Sequence, residues 1–293
     1  MPQKRLLVER SRASIVARSA LYSQEKKTIG FVPTMGALHN GHLSLIRLAR
    51  ERCDVVFASV FVNPTQFAPG EDFSAYPRDE AADLAKLEAA GCDVAYCPDA
   101  SEMYPQGSVT DVRVPGLSDV LDGVYRPHFF YGVTTVVARL FLHVRPDVAV
   151  FGEKDFQQLQ IIRRMVRDLG FPVQIIGAPT VRDGDGLAQS SRNLYLSPDE
   201  RRRAGALQAA LHRARSRILA GTAIADALAE ARRLLTSASF TQVDYVDAVA
   251  SDTLQPLPDT RSDWPAETRI LGAAWLGKTR LIDNLPLTPV AGP

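Results

Sequence analysis

The chain has 293 residues, enough for two domains, and its 46% hydrophobic and 23% charged residues are the balance of a globular protein rather than a disordered one. A net charge of +1 argues against a general nucleic-acid binder. The three cysteines, Cys53, Cys92 and Cys97, are odd in number and lack Cys-x-x-Cys spacing, so they read as free thiols in a reducing compartment with no structural zinc. The N-terminus has no signal-peptide apolar region and no stretch reaches the ~18 apolar residues of a membrane span, so a cytoplasmic location is expected.

Residues 28–32 read as a strand and 43–50 as a helix. Between them runs Pro33-Thr34-Met35-Gly36-Ala37-Leu38-His39-Asn40-Gly41-His42. Two glycines and two histidines therefore lie at a strand-to-helix turn, where α/β proteins aim backbone N–H groups and a helix N-terminus at phosphate. Gly36 and Gly41 have P-loop spacing, but His42-Leu43 stands where Lys-Ser/Thr would be, which excludes Walker A. What is left is a His-x-Gly-His nucleotide turn, whose histidines can donate hydrogen bonds to the oxygens of a reacting α-phosphate. As a metal site, His39 and His42 lack an obvious third ligand and the His-Glu-x-x-His pattern.

Residues 54–62 form a continuous β-branched and aromatic run, as in a strand buried on both faces. The run leads into Asn63-Pro64-Thr65-Gln66, two amides at a strand C-terminus, where open α/β sheets bind ligands. An Asn-Pro turn accounts for the same residues. A helix over 80–90, strands over 93–96 and 147–151, a helix carrying Phe156, Leu159, Ile162 and Val166 on one side, and a strand over 173–176 follow. This βαβα order predicts a parallel sheet flanked by helices. Ahead of the Phe156 helix, Gly152-Glu153-Lys154-Asp155 sets a lysine against the helix dipole, a placement that suits a bound anion. Asp155 suits either a helix cap or a ribose hydroxyl.

The pattern changes after about residue 184. Gly186-Leu187-Ala188-Gln189-Ser190-Ser191-Arg192-Asn193 offers two hydroxyls and a guanidinium beside a Gly-rich turn, fit for a phosphate clamp or a solvated linker. Gly184-x-Gly186 lacks the third glycine of a dinucleotide fingerprint. Ser197-Pro198-Asp199-Glu200 is a capping box that predicts one long helix ending near Gly221. A helix over 222–237 and strands over 243–249 and 269–276 complete a smaller α+β domain.

Residues 33–42, 61–67, 151–159 and 186–193, taken together and in order, resemble the pantoate–β-alanine ligase family of the His-x-Gly-His nucleotidyltransferase superfamily. The resemblance continues through 71–78, 103–105, 114–117, 273–277 and 279–284. It implies an α/β fold: a Rossmann-like nucleotide- and pantoate-binding domain over 1–184 and a C-terminal α+β lid domain over 185–293. It implies an ATP-dependent ligase that condenses pantoate with β-alanine to pantothenate, AMP and diphosphate through a pantoyl-adenylate. It further implies ATP as substrate, Mg2+ on the phosphates, and small-molecule partners rather than nucleic acid or membrane. A homodimer is expected on the same ground.

Carried over by position, the resemblance gives ATP to Met35, Gly36, Ala37, Leu38, His39, Asn40, Gly41 and His42. It adds Gly152, Glu153, Lys154 (phosphate), Asp155 (ribose) and Val181 (adenine), and the clamp of Gln189, Ser190, Ser191 and Arg192. His42, His39, Lys154 and Arg192 are the expected catalytic groups, with Gln66, Gln158 and Asn63 on pantoate and β-alanine. The chain departs from the family pattern where Phe129 replaces a histidine, with His128 one place earlier, where Arg139 replaces a lysine, and at Gln189, where Met or Leu is usual. Arg126 is a further candidate anion contact. Two rival readings compete: a nucleotidyltransferase acting on a phosphate acceptor, and a nucleotide-binding protein without turnover. The glutamines disfavour the first, and the retained Lys154, His39, His42 and Arg192 disfavour the second.

Overall fold

The computed structural model describes residues 5–68, 71 and 73–287, so position 72 of the 71–78 segment and the extreme ends of the two expected domains lie outside the described residues. The chain divides into two compact units. The first takes the chain as far as Asp119, with Arg126–Glu153 and Ile161–Pro179. The second takes Val120–Tyr125, Lys154–Gln160 and the chain from Thr180 on.

In chain order the elements up to residue 178 are β1 (Leu7–Glu9), α1 (Arg12–Gln24), β2 (Ile29–Thr34), α2 (Asn40–Arg52), β3 (Val55–Val60), α3 (Glu80–Ala89), β4 (Val94–Tyr96), α4 (Ala100–Met103), α5 (Asp122–Tyr125), α6 (Phe129–Val144), β5 (Val148–Gly152), α7 (Phe156–Leu169) and β6 (Gln174–Ala178). Among the described residues, six strands pair in parallel in the order β1-β4-β3-β2-β5-β6. The parallel sheet expected from the βαβα order is thus present. From β2 the chain builds outward through β3 and β4, then returns to add β5 and β6 on the other side. The switch point lies between β2 and β5, and the 35–39 turn and Gly152 leave the sheet there, where such sheets open a ligand crevice. Val32, Leu38, Ile46, Val56, Ala58 and Val150 fill one core, which fixes that end of the sheet.

Helix α6 has no clear signal in the sequence. Its run Val133-Thr134-Thr135-Val136-Val137 is β-branched and weakly helix-forming, and burial nearly all round leaves no amphipathic stripe to read. Packing decides its conformation. A Cβ at Gly132 would stand 2.6 Å from the Thr65 carbonyl oxygen and 2.7 Å from the Gln66 backbone nitrogen, so α6 lies directly against the 3-10 turn Pro64–Gln66.

The second unit contains α8 (Pro198–Arg203), α9 (Ala206–Leu219), α10 (Ile224–Ser237) and the antiparallel sheet β7 (Gln242–Ala250), β8 (Thr268–Leu276), β9 (Thr279–Pro286). Leu207, Leu211, Leu235, Val246, Ile270 and Leu281 share its core. The capping box forms: Ser197 Oγ accepts from Glu200 N at 3.3 Å, and Glu200 Oε2 accepts from Ser197 N at 2.8 Å. The single long helix expected after it is instead two, broken at Ala204-Gly205. A Cβ on Gly205 would come 2.6 Å from the Asp185 carbonyl oxygen, and the break admits that close approach. Arg280 is buried with Asp122 (2.6 Å) and Asp244 (2.7 Å), and Tyr245 donates to Asp122 at 2.9 Å. This network holds α5 to the antiparallel sheet.

The three cysteines are free and buried, and burial pushes the Cys92 and Cys97 thiols up to about 12. No helix among the described residues is long and apolar enough to cross a membrane.

Candidate active site

The turn after β2 is held from beneath by a residue that no sequence motif marks. Asp83, on α3 and 2% exposed, accepts from Ala37 N and from Leu38 N, each at 2.8 Å. The two N–H groups converge because Gly36 and Ala37 both have positive φ, 79° and 51°. Gly36 is required twice over, since a Cβ there would also meet Asp83 Oδ2 at 2.8 Å. Lys86, one turn along α3, donates to the Leu38 carbonyl at 2.8 Å.

His39 caps α2, and His42 lies in its first turn beside Asn40 and Gly41. His39 Nδ1 accepts from Gly41 N at 3.1 Å, and His42 Nδ1 accepts from His39 N at 3.4 Å, a reciprocal cap made of two imidazoles. The rings sit 4.1 Å apart. Because both Nδ1 atoms accept from the backbone, each neutral ring carries its proton on Nε2. The turn therefore fixes the tautomer in which Nε2 is the donor.

Asn63 and Gln66 meet directly in the Pro64–Gln66 turn. Asn63 Nδ2 donates to Gln66 Oε1 at 3.1 Å, and Gln66 Nε2 reaches Met35 Sδ at 2.8 Å. The Asn-Pro turn is present: Asn63 Oδ1 caps it through Thr65 N while its amide holds Gln66.

The remaining expected groups belong to the second unit, apart from Gly152 and Glu153, which end β5 and enter a 3-10 turn. Lys154 and Asp155 complete that turn, and Lys154 Nζ stands 3.4 Å from Asp155 Oδ1. β9 organises this segment. Asn284 donates to the Lys154 carbonyl at 2.9 Å, and Arg269 stacks on Phe156 at 3.9 Å and donates to Asn284 at 2.5 Å. Neighbouring Asp283 takes Arg182 in a two-pronged pair at 2.7 and 2.8 Å, which steadies the chain next to Val181. Of the paired glutamines, Gln157 is occupied at both ends, by Val120 O and Asp122 N, while Gln158 stays half-buried.

The 186–193 segment begins in a hairpin, in which Asp183 N donates to Leu187 O at 2.9 Å, and ends in a 3-10 turn. Gln189 N donates to Val181 O at 2.9 Å and Gln189 Nε2 to Asp183 Oδ1 at 2.9 Å, so the unusual glutamine braces the turn. Ser190 Oγ accepts from Arg192 N at 3.3 Å and opens a 3-10 turn that begins with buried Ser191 and half-buried Arg192.

Phe129 begins α6 and offers an apolar ring where the family pattern has imidazole. Its ring stacks under the Arg126 guanidinium at 3.8 Å, and Arg126 forms a forked pair with Glu71 at 2.9 and 2.7 Å. Arg126 is a largely buried, paired arginine rather than an exposed one. His128 is exposed at the start of α6. Arg139 is spent on structure: it donates to Met103 O at 2.7 Å and to Ser108 Oγ at 2.6 Å.

Asp83 lies in none of the matched segments, and Asp283 and Asn284 lie in one but carry no assigned role; Asp83 and Asn284 act on backbone, and Asp283 on the Arg182 side chain, far away in the chain. Their one signal is a polar side chain on an otherwise apolar face, as Asp83 is beside Leu87 on α3. Among the described residues no three His, Cys, Asp or Glu side chains gather as a metal site.

A family model for pantoate-beta-alanine ligase matches residues 8–286. Pantothenate synthetase from Hyphomonas neptunium is 63% identical over 280 residues, 95% of this chain and 96% of that protein. The crystal structure of pantothenate synthetase from Thermus thermophilus superposes with a TM-score of 0.90 at 48% identity, covering 97% of this chain and 100% of that one. A Francisella tularensis pantoate-beta-alanine ligase, solved with beta-gamma ATP and beta-alanine, gives 0.79 at 32% identity over 98% of this chain and 100% of its own.

Proposed function

Since the chain belongs to the pantoate–β-alanine ligase family, we propose that its His-x-Gly-His turn, Lys154 and Arg192 drive ATP-dependent condensation of pantoate with β-alanine. A pantoate carboxylate oxygen attacks the α-phosphorus of ATP, the α–β bridge breaks, and diphosphate leaves. The β-alanine amine then attacks the acyl carbon of the pantoyl-adenylate and loses a proton, the acyl C–O bond breaks, and AMP leaves. The protein's share is placement of the reactants and stabilisation of charge on phosphoryl oxygens.

The observation that carries this reading is the reciprocal cap of His39 and His42, which makes Nε2–H the donor a developing phosphoryl charge needs. In the proposed assignment, His42 and His39 donate to phosphoryl oxygens, and the positive end of the α2 dipole favours phosphate. Lys154 and Arg192 neutralise the departing diphosphate, Asp155 takes the ribose, Val181 lies on adenine, and Gln189 to Ser191 shape the clamp. Gln66, Gln158 and Asn63 hold pantoate and border β-alanine. Mg2+ on the triphosphate rests on the resemblance. No step above is assigned to it.

A homodimeric state and a lid role for the C-terminal domain rest on the resemblance, a cytoplasmic location rests on the sequence pattern, and light scattering tests the first. The decisive assay is diphosphate release with ATP, Mg2+ and pantoate, before and after β-alanine is added. A stoichiometric burst followed by β-alanine-dependent turnover is expected, and it would also show that Phe129 is tolerated. ATP binding without release in either phase would favour a nucleotide-binding homologue without turnover.

A further inference from the structure

Gln66 is held by a chain of hydrogen bonds that starts at a tyrosine the ligase reading leaves without a role. Asn63, 1% exposed, uses both N–H groups of its amide, one on Gln66 Oε1 and one on Gly132 O, each at 3.1 Å. Its Oδ1 accepts from Tyr104 OH at 2.7 Å, from Thr65 Oγ1 at 3.0 Å and from Thr65 N at 3.4 Å. The shortest of these contacts is the phenol, so Tyr104 is the strongest tether on the Asn63 amide. Tyr104 is itself clamped. Arg139 stacks on its ring at 4.9 Å and is fixed by Met103 O and Ser108 Oγ.

The consequence at Gln66 is one of polarity. The bond from Asn63 to Oε1 fixes the orientation of the amide, and of the two Nε2 N–H groups one points at Met35 Sδ and the other is left to donate to a substrate. In that orientation Gln66 meets an acceptor oxygen of a ligand as a donor. Tyr104, Thr65, Gly132 and Arg139 also line a cavity of about 290 Å3 with Arg113. Both of its guanidiniums are engaged, Arg139 as above and Arg113 with Asp111, so the cavity serves as the outer wall of this network.

We propose that Tyr104 is a positioning residue for pantoate: through Asn63, its hydroxyl holds Gln66 with Nε2 toward the acceptor oxygens of the substrate. The inference rests on Gln66 being a pantoate ligand. Burial raises the Tyr104 phenol above its ordinary range, in keeping with a hydroxyl that stays protonated as a donor.

The test is a double-mutant cycle of Tyr104→Phe and Gln66→Ala, read in the adenylation half-reaction. Phenylalanine keeps the ring and its stacking on Arg139 and removes only the hydroxyl. Tyr104→Phe should lower kcat/KM for pantoate about tenfold, the scale of one lost hydrogen bond to a buried acceptor, with the KM for ATP within about twofold. In the Gln66→Ala background the same substitution should change little. A Tyr104→Phe effect that persists undiminished without Gln66, or one that falls equally on ATP and pantoate, would overturn the proposal. So would an indifferent Tyr104→Phe in a protein that gives the pantoate-dependent burst. If the unmodified protein gives no burst, the ligase reading fails and this inference falls with it.

Discussion

Asp83 answers a problem created by the His-x-Gly-His turn itself: two N–H dipoles, from Ala37 and Leu38, point the same way and need one acceptor. A carboxylate supplies two oxygens at 2.8 Å, and its burial makes both bonds strong. Asp83→Ala should therefore cost about 2–4 kcal/mol, because two donors lose a charged partner. The turn should loosen with it, raising the KM for ATP. Urea unfolding together with ATP titration checks both, and unchanged values would remove Asp83 from the site. Lys154 is the opposite case. Its contact with Asp155 is long, at 3.4 Å, and Asp155 is about half exposed, so the pair adds at most ~1 kcal/mol to stability. Lys154→Ala should leave the unfolding midpoint nearly unchanged and slow single-turnover adenylate formation on the order of 10²–10³-fold. An unaltered rate in the folded variant would refute its assignment to phosphate. The contrast also explains what can be read from the sequence. Groups that act on a ligand cluster in short motifs, as His39, His42 and Lys154 do. Groups that act on those motifs sit wherever the fold returns, as Asp83 does 46 residues from Ala37.

At the scale of elements, strands with continuous apolar runs and helices with a clear apolar side are legible, and their ends move by only a few residues: 54–62 becomes Val55–Val60, and 43–50 becomes Asn40–Arg52. α6 and β9 are not legible, and both are places where tertiary contacts outweigh local preference. In α6 the deciding contact is Gly132. Alanine would favour the helix by about 1 kcal/mol over glycine. Its Cβ would nevertheless stand 2.6–2.7 Å from the backbone of Thr65 and Gln66, which cannot yield as a side chain can. The clash should win, so Gly132→Ala is expected to destabilise the protein by about 1–3 kcal/mol. It should also raise the KM for pantoate more than that for ATP, since the displaced turn carries Gln66. Greater stability in the variant would show that helix propensity dominates after all.

At the scale of the whole molecule, acid stability turns on a buried histidine that no motif marks. His143 lies on α6 with Nδ1 3.2 Å from Tyr96 OH. Burial lowers its pKa to about 4 from 6.5, helped by Arg12 and Arg139 and opposed by Glu102. Above pH 6.5 the imidazole is neutral in both states and contributes nothing. Between 6.5 and 4 the unfolded chain takes a proton that the folded one refuses, so stability falls as pH falls. At ~1.4 kcal/mol per pH unit the loss is about 2 kcal/mol at pH 5, a sizeable part of the ~5–15 kcal/mol that holds a typical protein folded. Asp54, Glu80 and Asp185, whose pKa values are lowered by their partners, lose their stabilisation only as pH approaches the ordinary carboxylate range, below pH 5. His212 is shifted in the same direction but is exposed and belongs to the second unit. Both tryptophans, Trp264 and Trp275, are also in the second unit, so indole fluorescence reports that unit while far-UV circular dichroism reports both. Between pH 7 and pH 5 the urea midpoint seen by circular dichroism should fall, and His143→Gln should remove about 2 kcal/mol of that pH dependence. The indole transition should change less between the two proteins. Equal acid losses in the parent and in His143→Gln would mean that some other group carries the acid sensitivity.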